Sequence, residues 1–269
     1  MRNSLGLTPE CQVIPLWGSL KGSLPFGTGR LELFAPTTPR AARNPAVIVV
    51  PGGGYKVVAP QECTPVALVL REHGFHVGIL YYRTTPHAFP HAFNDLTRAV
   101  RLLRNNADGF GIDGARIGLI GFSAGGHLAG LVSFAPNLHT DLDDDLVDAV
   151  SARPNRLMLV YALVRLSPPT HEESVRNFLG ASQADLRTRR QFDLERLLDS
   201  QSPPFHLTHA IDDDVIPISG ALALADRARD LGVPFDWNIM HHGGHGFTLR
   251  AGLTSTDWPK SLLDFLGAL

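Results

Sequence analysis

Residues 117–126 read I-G-L-I-G-F-S-A-G-G, and few local sequences leave a chain less choice of conformation. The apolar run Arg116–Ile120 reads as a buried strand, and Gly126–Phe134 reads as a helix with small residues on its packing face. Between them, Gly121-Phe122-Ser123-Ala124-Gly125 forms a G-x-S-x-G pattern. A strand that turns so sharply into a helix strains the backbone of the central Ser, and small residues two before and two after it let the two arms pass each other. The Ser123 hydroxyl would then stand at a helix N-terminus, where free N–H groups and the helix dipole favour a developing negative charge. An ordinary glycine-rich turn is the plainer reading of these letters. The strand before it and the helix after it favour an exposed nucleophile.

The rest of the chain keeps the same rhythm. Ala46–Val50 is a β-branched run suited to a strand covered on both faces, and it ends at Pro51-Gly52-Gly53-Gly54-Tyr55. Thr64 reads as an N-cap with Pro65 at the first helical position, opening a helix that runs to Gly74. His76–Tyr82 is the next strand; Phe93, Leu96, Val100 and Leu103 follow at helical spacing; Asp113-Gly114 reads as a turn into the strand before Ser123. Arg156–Ala162, His206–Ile211 and Phe235–Met240 are further strands, with a helix over Ser219–Leu231 stopped by Gly232. Asp257 can cap a last helix reaching Leu266. Strand and helix alternate, which predicts a mostly parallel sheet with helices on both faces in a single domain over residues 1–269. Residues 163–204 break the rhythm. They are polar and rich in arginine (Arg176, Arg187, Arg189, Arg190), and an excursion of that length predicts a lid or substrate loop, or a helical insertion that covers the sheet edge.

Composition excludes several function classes. The formal charge of −2 and the lack of a basic stripe argue against nucleic acid as a partner. No apolar stretch is long enough to span a membrane. Met1–Gln12 lacks the charged start and apolar core of a signal peptide, so a cytoplasmic protein is expected, or a secreted one from which an export signal has been removed. Cys11 and Cys63 make no disulfide framework and lie in no zinc-ligand spacing; Asp143-Asp144-Asp145 reads as a solvated loop rather than a metal site. No metal and no cofactor is expected, and the oligomeric state is open.

A serine needs a base to take its proton, and the base needs an acid to orient it. An acid just past a strand is available in Asp212-Asp213-Asp214, three aspartates that spacing alone does not separate. A base is available in His241-His242-Gly243-Gly244-His245, where glycines let one imidazole point back over the sheet; His241 and His242 read as supporting or surface residues, and a metal site lacks accompanying Cys or carboxylate ligands. Gly52-Gly53-Gly54 and the residue after the Ser, Ala124, offer unobstructed amides for an oxyanion. The phosphate-binding patterns G-x-G-x-x-G and G-x-x-x-x-G-K-[ST] are absent there.

Taken together, V-I-V-V-P-G-G-G-Y (47–55), L-Y-Y-R (80–83), G-F-S-A-G-G-H-L-A (121–129), P-P-F-H-L (203–207), D-D-D-V-I-P (212–217) and G-G-H-G-F (243–247) resemble an α/β-hydrolase. More narrowly they resemble the bacterial carbohydrate acetyl esterases, labelled acetylxylan esterase or esterase/lipase. The resemblance covers about Ile14 to Leu266. It implies Asp213 as the acid, His245 as the base, and the amides of Gly53, Gly54 and Ala124 as oxyanion donors. Pro51 stands where many lipase-like relatives have His, which matches the acetyl esterase-like branch. The implied activity is hydrolysis of short acyl esters through an acyl-Ser123, with O-acetyl groups of xylan-type oligosaccharides as the specific substrate and feruloyl or other small esters as the alternative. A serine peptidase of the same fold and a non-catalytic binding protein are the rivals from other classes. The first usually carries a large extra domain, and the intact Ser, Asp, His and Gly set argues against the second.

Other residues are candidates for the site. Tyr55, Glu62 and Tyr82 are candidate substrate contacts, with packing or surface roles as the alternative. His127 is expected to be a hydrogen-bonded structural residue, Arg83 to pair with an acid, and Trp17 to lie in the core.

Overall fold

The computed structural model describes residues 11–18, 29–138, 146–180, 185–249 and 258–269. The acidic run Asp143-Asp144-Asp145 and the expected cap Asp257 lie outside the described residues. Eight strands are present among the described residues: β1 (Gln12–Pro15), β2 (Arg30–Phe34), β3 (Asn44–Val50), β4 (His76–Tyr81), β5 (Ile112–Phe122), β6 (Arg156–Val160), β7 (Phe205–Ala210) and β8 (Phe235–Met240). They form one sheet in the order β1-β2-β4-β3-β5-β6-β7-β8. β2 runs antiparallel to both of its neighbours, and every pair from β4 to β8 is parallel.

The strand side chains explain why both faces are covered. In β3, Ala46, Ile48 and Val50 enter one core and Val47 and Val49 enter the other, the two-residue period of a strand buried on both sides. The first core receives Leu96, Val100 and Leu103 of α2 (His91–Asn105), after which comes the short α3 (Ala107–Phe110), and Leu128, Leu131 and Val132 of α4 (Ser123–Phe134). It also receives Leu224 and Ala228 of α8 (Ser219–Leu231). The second core receives Val66, Ala67 and Leu70 of α1 (Thr64–Glu72) and Leu262, Phe265 and Leu266 of α9 (Trp258–Gly267). This is the α/β-hydrolase fold that the sequence resembles.

Several element ends shift by one or two residues from the expectation, β6 for example ending at Val160 and not Ala162, and two further differences involve local chemistry. α1 takes in Thr64, and Cys63 stands at its cap. β5 starts at Ile112, not at Arg116: Asp113-Gly114 lies inside the strand, where the pairing with β3 slips between Asn44–Ile112 and Ala46–Ile117. Asp113 Oδ1 accepts the Ala115 amide, so the turn chemistry seen in the sequence survives as an irregularity within the ladder.

The described residues of the 163–204 segment carry three short helices, α5 (Glu172–Leu179), α6 (Leu186–Arg190) and α7 (Leu194–Leu197). Phe178, Phe192 and Leu194 are buried in the first core. Buried Asp193 accepts the amides of Leu166 and Ser167 at 2.9 and 3.0 Å and the Ser167 hydroxyl at 2.6 Å, which folds the segment back on itself.

Candidate active site

The catalytic and oxyanion candidates follow the carboxyl ends of parallel strands. The glycine loop follows β3, Ser123 follows β5, Asp213 follows β7 and His245 follows β8. The chain leaves β3 toward β4 on one side and β5 toward β6 on the other, so the loops after β3 and β5 open a crevice at a switch in strand order.

The turn at Ser123 is as tight as its glycines suggest. Ser123 has φ +50°, in the left-handed region. A Cβ on Gly121 would lie 2.6 Å from the Gly125 carbonyl oxygen, and one on Gly125 would lie 2.1 Å from that of Val50. Side chains at either position would force the strand and helix apart. Four non-glycine residues among those described have positive φ: Tyr55, Ser123, Tyr161 and Thr248. All four border this crevice in sequence or contact, so the backbone strain of the described chain is concentrated there.

A chain of hydrogen bonds runs from the serine. Ser123 Oγ lies 2.9 Å from His245 Nε2, and His245 Nδ1 lies 2.8 Å from Asp213 Oδ2. Asp213 Oδ1 also accepts the amides of Val215 and Ile216 at 3.0 and 2.8 Å, and His209 Nε2 approaches Oδ2 at 3.3 Å. Burial alone would push the Asp213 carboxyl up; the hydrogen bonds from His209, His245 and Ile216 outweigh it and hold the group well below the usual carboxylate range. Asp212 has a different task. Its Oδ1 accepts the amides of Gly243 and Gly244 at 2.9 and 2.8 Å, tying down the loop that carries His245. Asp214, His241 and His242 are exposed.

The glycine loop presents donors to the same space. Gly53 and Gly54 have φ +114° and +63°, and the Gly53 carbonyl accepts the amides of Lys56 and Val57. The Gly54 carbonyl accepts Asn177 Nδ2 at 2.9 Å. With both carbonyls held, the N–H groups of Gly53 and Gly54 donate to no acceptor among the described residues. Ala124 occupies the first turn of α4, beside Ser123.

Glu62, in a 3-10 turn over Pro60–Glu62, ties the two loops together. It is 3% exposed; Oε2 accepts the Gly52 amide at 2.5 Å, and Oε1 accepts the Tyr161 hydroxyl at 2.8 Å. Tyr161 also reaches Thr248 Oγ1 at 3.2 Å and sets its ring edge-on to His245, with centroids 5.0 Å apart. Burial pushes the Glu62 carboxyl up, against the pull of the Gly52 and Tyr161 hydrogen bonds and the His245 imidazole.

A cavity of about 230 Å³ opens over Ser123, lined by Gly53, Gly54, Glu62 and His245, with His171 and Ser174 from the 163–204 segment on one wall. Gln61 and Gly246 also line it, and the same two residues border an apolar groove of about 510 Å³ formed with Pro65, Leu68, Val69, Phe247 and Leu249.

Two of the candidate substrate contacts are not brought to the cavity. Tyr55 is buried with its hydroxyl 2.7 Å from His127 Nδ1, and Tyr82 is buried with its hydroxyl donating to the Pro51 carbonyl at 2.8 Å. Both brace the glycine loop from behind. Glu62 does line the cavity, but its two oxygens are engaged by the loop and by Tyr161. His127 Nε2 lies 2.9 Å from the Phe192 carbonyl, and burial pushes its pKa down to about 4, so the ring is neutral, donates to Phe192 and accepts from Tyr55. Arg83 forms its ion pair with buried Asp95, to which Trp17 Nε1 also donates. His171, Ser174 and Tyr161 were missed in the sequence. Glu172-Glu173 followed by an amphipathic run to Leu179-Gly180 is a helix signal inside residues 163–204 that points to the first two.

Among the described residues, no group of three or more His, Cys, Asp or Glu side chains is placed to hold a metal ion, and no helix is long and apolar enough to cross a membrane. Cys11 and Cys63 are free thiols.

The chain has relatives among known proteins. A protein named endo-1,4-beta-xylanase B from Butyrivibrio fibrisolvens is 30% identical over 233 residues, covering 84% of this chain and 36% of that protein. An acetylxylan esterase from Xylanibacter ruminicola is 26% identical over 231 residues, covering 82% and 44% respectively. The chain thus spans less than half the length of these two relatives. Among solved structures, an acetyl ester-xyloside bifunctional hydrolase from Caldicellulosiruptor lactoaceticus superposes with a TM-score of 0.88 at 34% identity, over 98% of both chains. Residues 31–227, from β2 into α8, match the BD-FAE family, and the chain belongs to that family.

Proposed function

We propose that this protein is a serine carboxylic-ester hydrolase acting on short acyl esters, with O-acetyl groups on xylan-type oligosaccharides as its substrate. The observation that carries this reading is the unbroken chain from Ser123 through His245 to Asp213, at 2.9 and 2.8 Å, beside two glycine amides that donate to no acceptor among the described residues. In this mechanism His245 Nε2 takes the Ser123 proton as Oγ attacks the ester carbonyl. The carbonyl oxygen gains charge within reach of the Gly53, Gly54 and Ala124 amides, where preorganised donors are each worth a few kcal/mol. Protonated His245 is steadied by ionised Asp213 and gives its proton to the departing alcohol. Water, deprotonated by the same imidazole, then attacks the acyl-Ser123 and releases the acid. No step calls on a cofactor.

The acetyl-sugar assignment draws on two supports. The relatives named above include an acetylxylan esterase and an acetyl ester-xyloside hydrolase. The cavity over Ser123, about 230 Å³, suits a small acyl group joined to a sugar ring better than a long acyl chain. The apolar groove bordered by Gln61 and Gly246 favours a second reading, an ester with an aromatic part such as feruloyl. In either reading residues 163–204 are an insertion in one catalytic domain. Acetate release from acetylated xylo-oligosaccharides tests the first reading, with Ser123→Ala as control. Rapid release by the parent protein alone is expected. Hydrolysis of p-nitrophenyl acetate without release from the sugar would refute the sugar assignment and leave the ester chemistry standing.

A further inference from the structure

The cavity wall also carries His171 and Ser174, two polar side chains that reach it from the 163–204 segment and take no part in the catalytic steps. His171 stands at the N-terminus of α5, and its Nδ1 lies 3.4 Å from the Ser174 amide nitrogen and 2.8 Å from Ser174 Oγ. A backbone N–H can only donate, so Nδ1 is an acceptor, and the proton of the neutral ring sits on Nε2. Nε2 has no hydrogen-bond partner among the described residues. Ser174 Oγ spends its proton on Nδ1 and keeps lone pairs free. The pair therefore offers one donor and one acceptor on the wall of a cavity, the complement of a hydroxyl group, which is itself both.

The position of this pair is tied to the oxyanion loop. Asn177, one turn along α5 from Ser174, donates to the Gly54 carbonyl at 2.9 Å, and Glu173 pairs with Lys56 at 3.0 Å. A Cβ built on Gly54 would sit 3.3 Å from Ser174 Oγ. The same contacts that hold the Gly54 carbonyl therefore fix His171 and Ser174 relative to the place where the ester carbonyl would lie. A donor so registered reads the substrate near its reacting bond.

We infer that His171 and Ser174 form a subsite for a hydroxyl of the sugar alcohol, beside the scissile ester. An acetyl group carries no hydroxyl, so the group read is on the alcohol side. This inference rests on the ester-hydrolase reading and adds to it the residues that select a polyhydroxylated alcohol. A site that hydrogen-bonds a hydroxyl disfavours an analogue without one, because its own polar groups are then left unpaired.

The test compares kcat/KM for acetylated xylo-oligosaccharide with that for p-nitrophenyl acetate, whose alcohol part has no sugar hydroxyl. His171→Asn keeps a side-chain oxygen to cap α5 and removes Nε2, so the helix is retained; His171→Ala removes both. The ratio of the two kcat/KM values is expected to fall roughly tenfold to a hundredfold in His171→Asn, mainly through KM on the sugar ester, with Ala at least as low. An unchanged ratio in His171→Asn, with both substrates slowed alike or neither slowed, would overturn the subsite and leave His171 a helix cap. If the parent protein cleaves p-nitrophenyl acetate but no acetylated sugar, the substrate class fails before any variant is compared. If it cleaves neither, the ester-hydrolase reading fails.

Discussion

Replacing Asp213 by Asn changes one atom, and the structure dictates how the new amide must lie. Asp213 Oδ1 accepts the Val215 and Ile216 amides at 3.0 and 2.8 Å, and neither backbone group can reverse its polarity. The amide oxygen of Asn must take that place, which turns the NH2 toward His245 Nδ1, now 2.8 Å from a carboxylate oxygen. Facing a donor, Nδ1 becomes an acceptor and the ring proton moves to Nε2. Nε2 then cannot accept the proton of Ser123, 2.9 Å away. The variant loses both the productive tautomer and the negative charge that steadies the imidazolium. For a Ser-His-Asp site the combined effect is on the order of 10⁴-fold in kcat, or about 5 kcal/mol of barrier. Steady-state hydrolysis of p-nitrophenyl acetate by Asp213→Asn measures it, with a thermal melt to show that the fold persists. Asp212→Asn is the matched control. Its oxygen can still accept from Gly243 and Gly244, so a loss below about tenfold is expected. A loss below about tenfold in Asp213→Asn, or a larger loss in Asp212→Asn, would refute the assignment of the acid and the tautomer reasoning with it.

Two further outcomes follow from buried groups around the site. Glu62→Gln can keep the network, because its oxygen can accept the Gly52 amide while Tyr161 turns its hydroxyl to Thr248 Oγ1 and accepts from the new NH2. Activity should fall less in the Gln variant than in Glu62→Ala, which strands the Gly52 amide at roughly 1–3 kcal/mol, or about fivefold to a hundredfold; kcat values and melting curves of the two variants check this. His127 is neutral when folded, with its pKa pushed down to about 4 from an unfolded value of about 6.5. The unfolded chain therefore binds a proton that the folded chain refuses, and this contribution to stability is complete above about pH 6.5 and falls by about 3 kcal/mol toward pH 4. Burial of Glu62 acts in the opposite sense as pH falls, and His206 acts with His127, so the readout is the difference in pH dependence of denaturant unfolding between the parent protein and His127→Gln. Equal slopes over that window would contradict the burial of a neutral ring at His127.

How far the sequence could be read depended on the range of the interactions involved. The turn at Ser123 and the strand at Ala46–Val50 are set by neighbouring residues, through steric limits at Gly121 and Gly125 and a run of β-branched side chains, and both stand in the structure where they were read. The start of β5 was misread because Asp113-Gly114 carries turn chemistry that the sheet absorbs as an irregularity. Tyr55 and Tyr82 looked like pocket residues because aromatic groups at strand ends can serve either purpose; only partners distant in sequence, His127 and Pro51, show that their hydroxyls are engaged. Which of the three aspartates meets His245 was beyond spacing, and the resemblance supplied it. Geometry separates Asp212 and Asp213 by what their Oδ1 atoms hold, the histidine loop in one case and their own turn in the other. His171 was missed because its place on the cavity wall depends on where α5 docks, and the contacts that dock α5 on Gly54 and Lys56 span more than a hundred residues of sequence.

The most direct test of the proposed mechanism is to trap the covalent intermediate. The protein is mixed with p-nitrophenyl acetate, quenched in acid within the first turnovers, digested and examined by mass spectrometry. One acetyl group on Ser123, absent from Ser123→Ala and accumulating in step with a burst of p-nitrophenol, is the expected result. Turnover at the parent rate by Ser123→Ala, or acetyl groups found only at residues other than Ser123, would contradict the role assigned to the Ser123–His245–Asp213 chain.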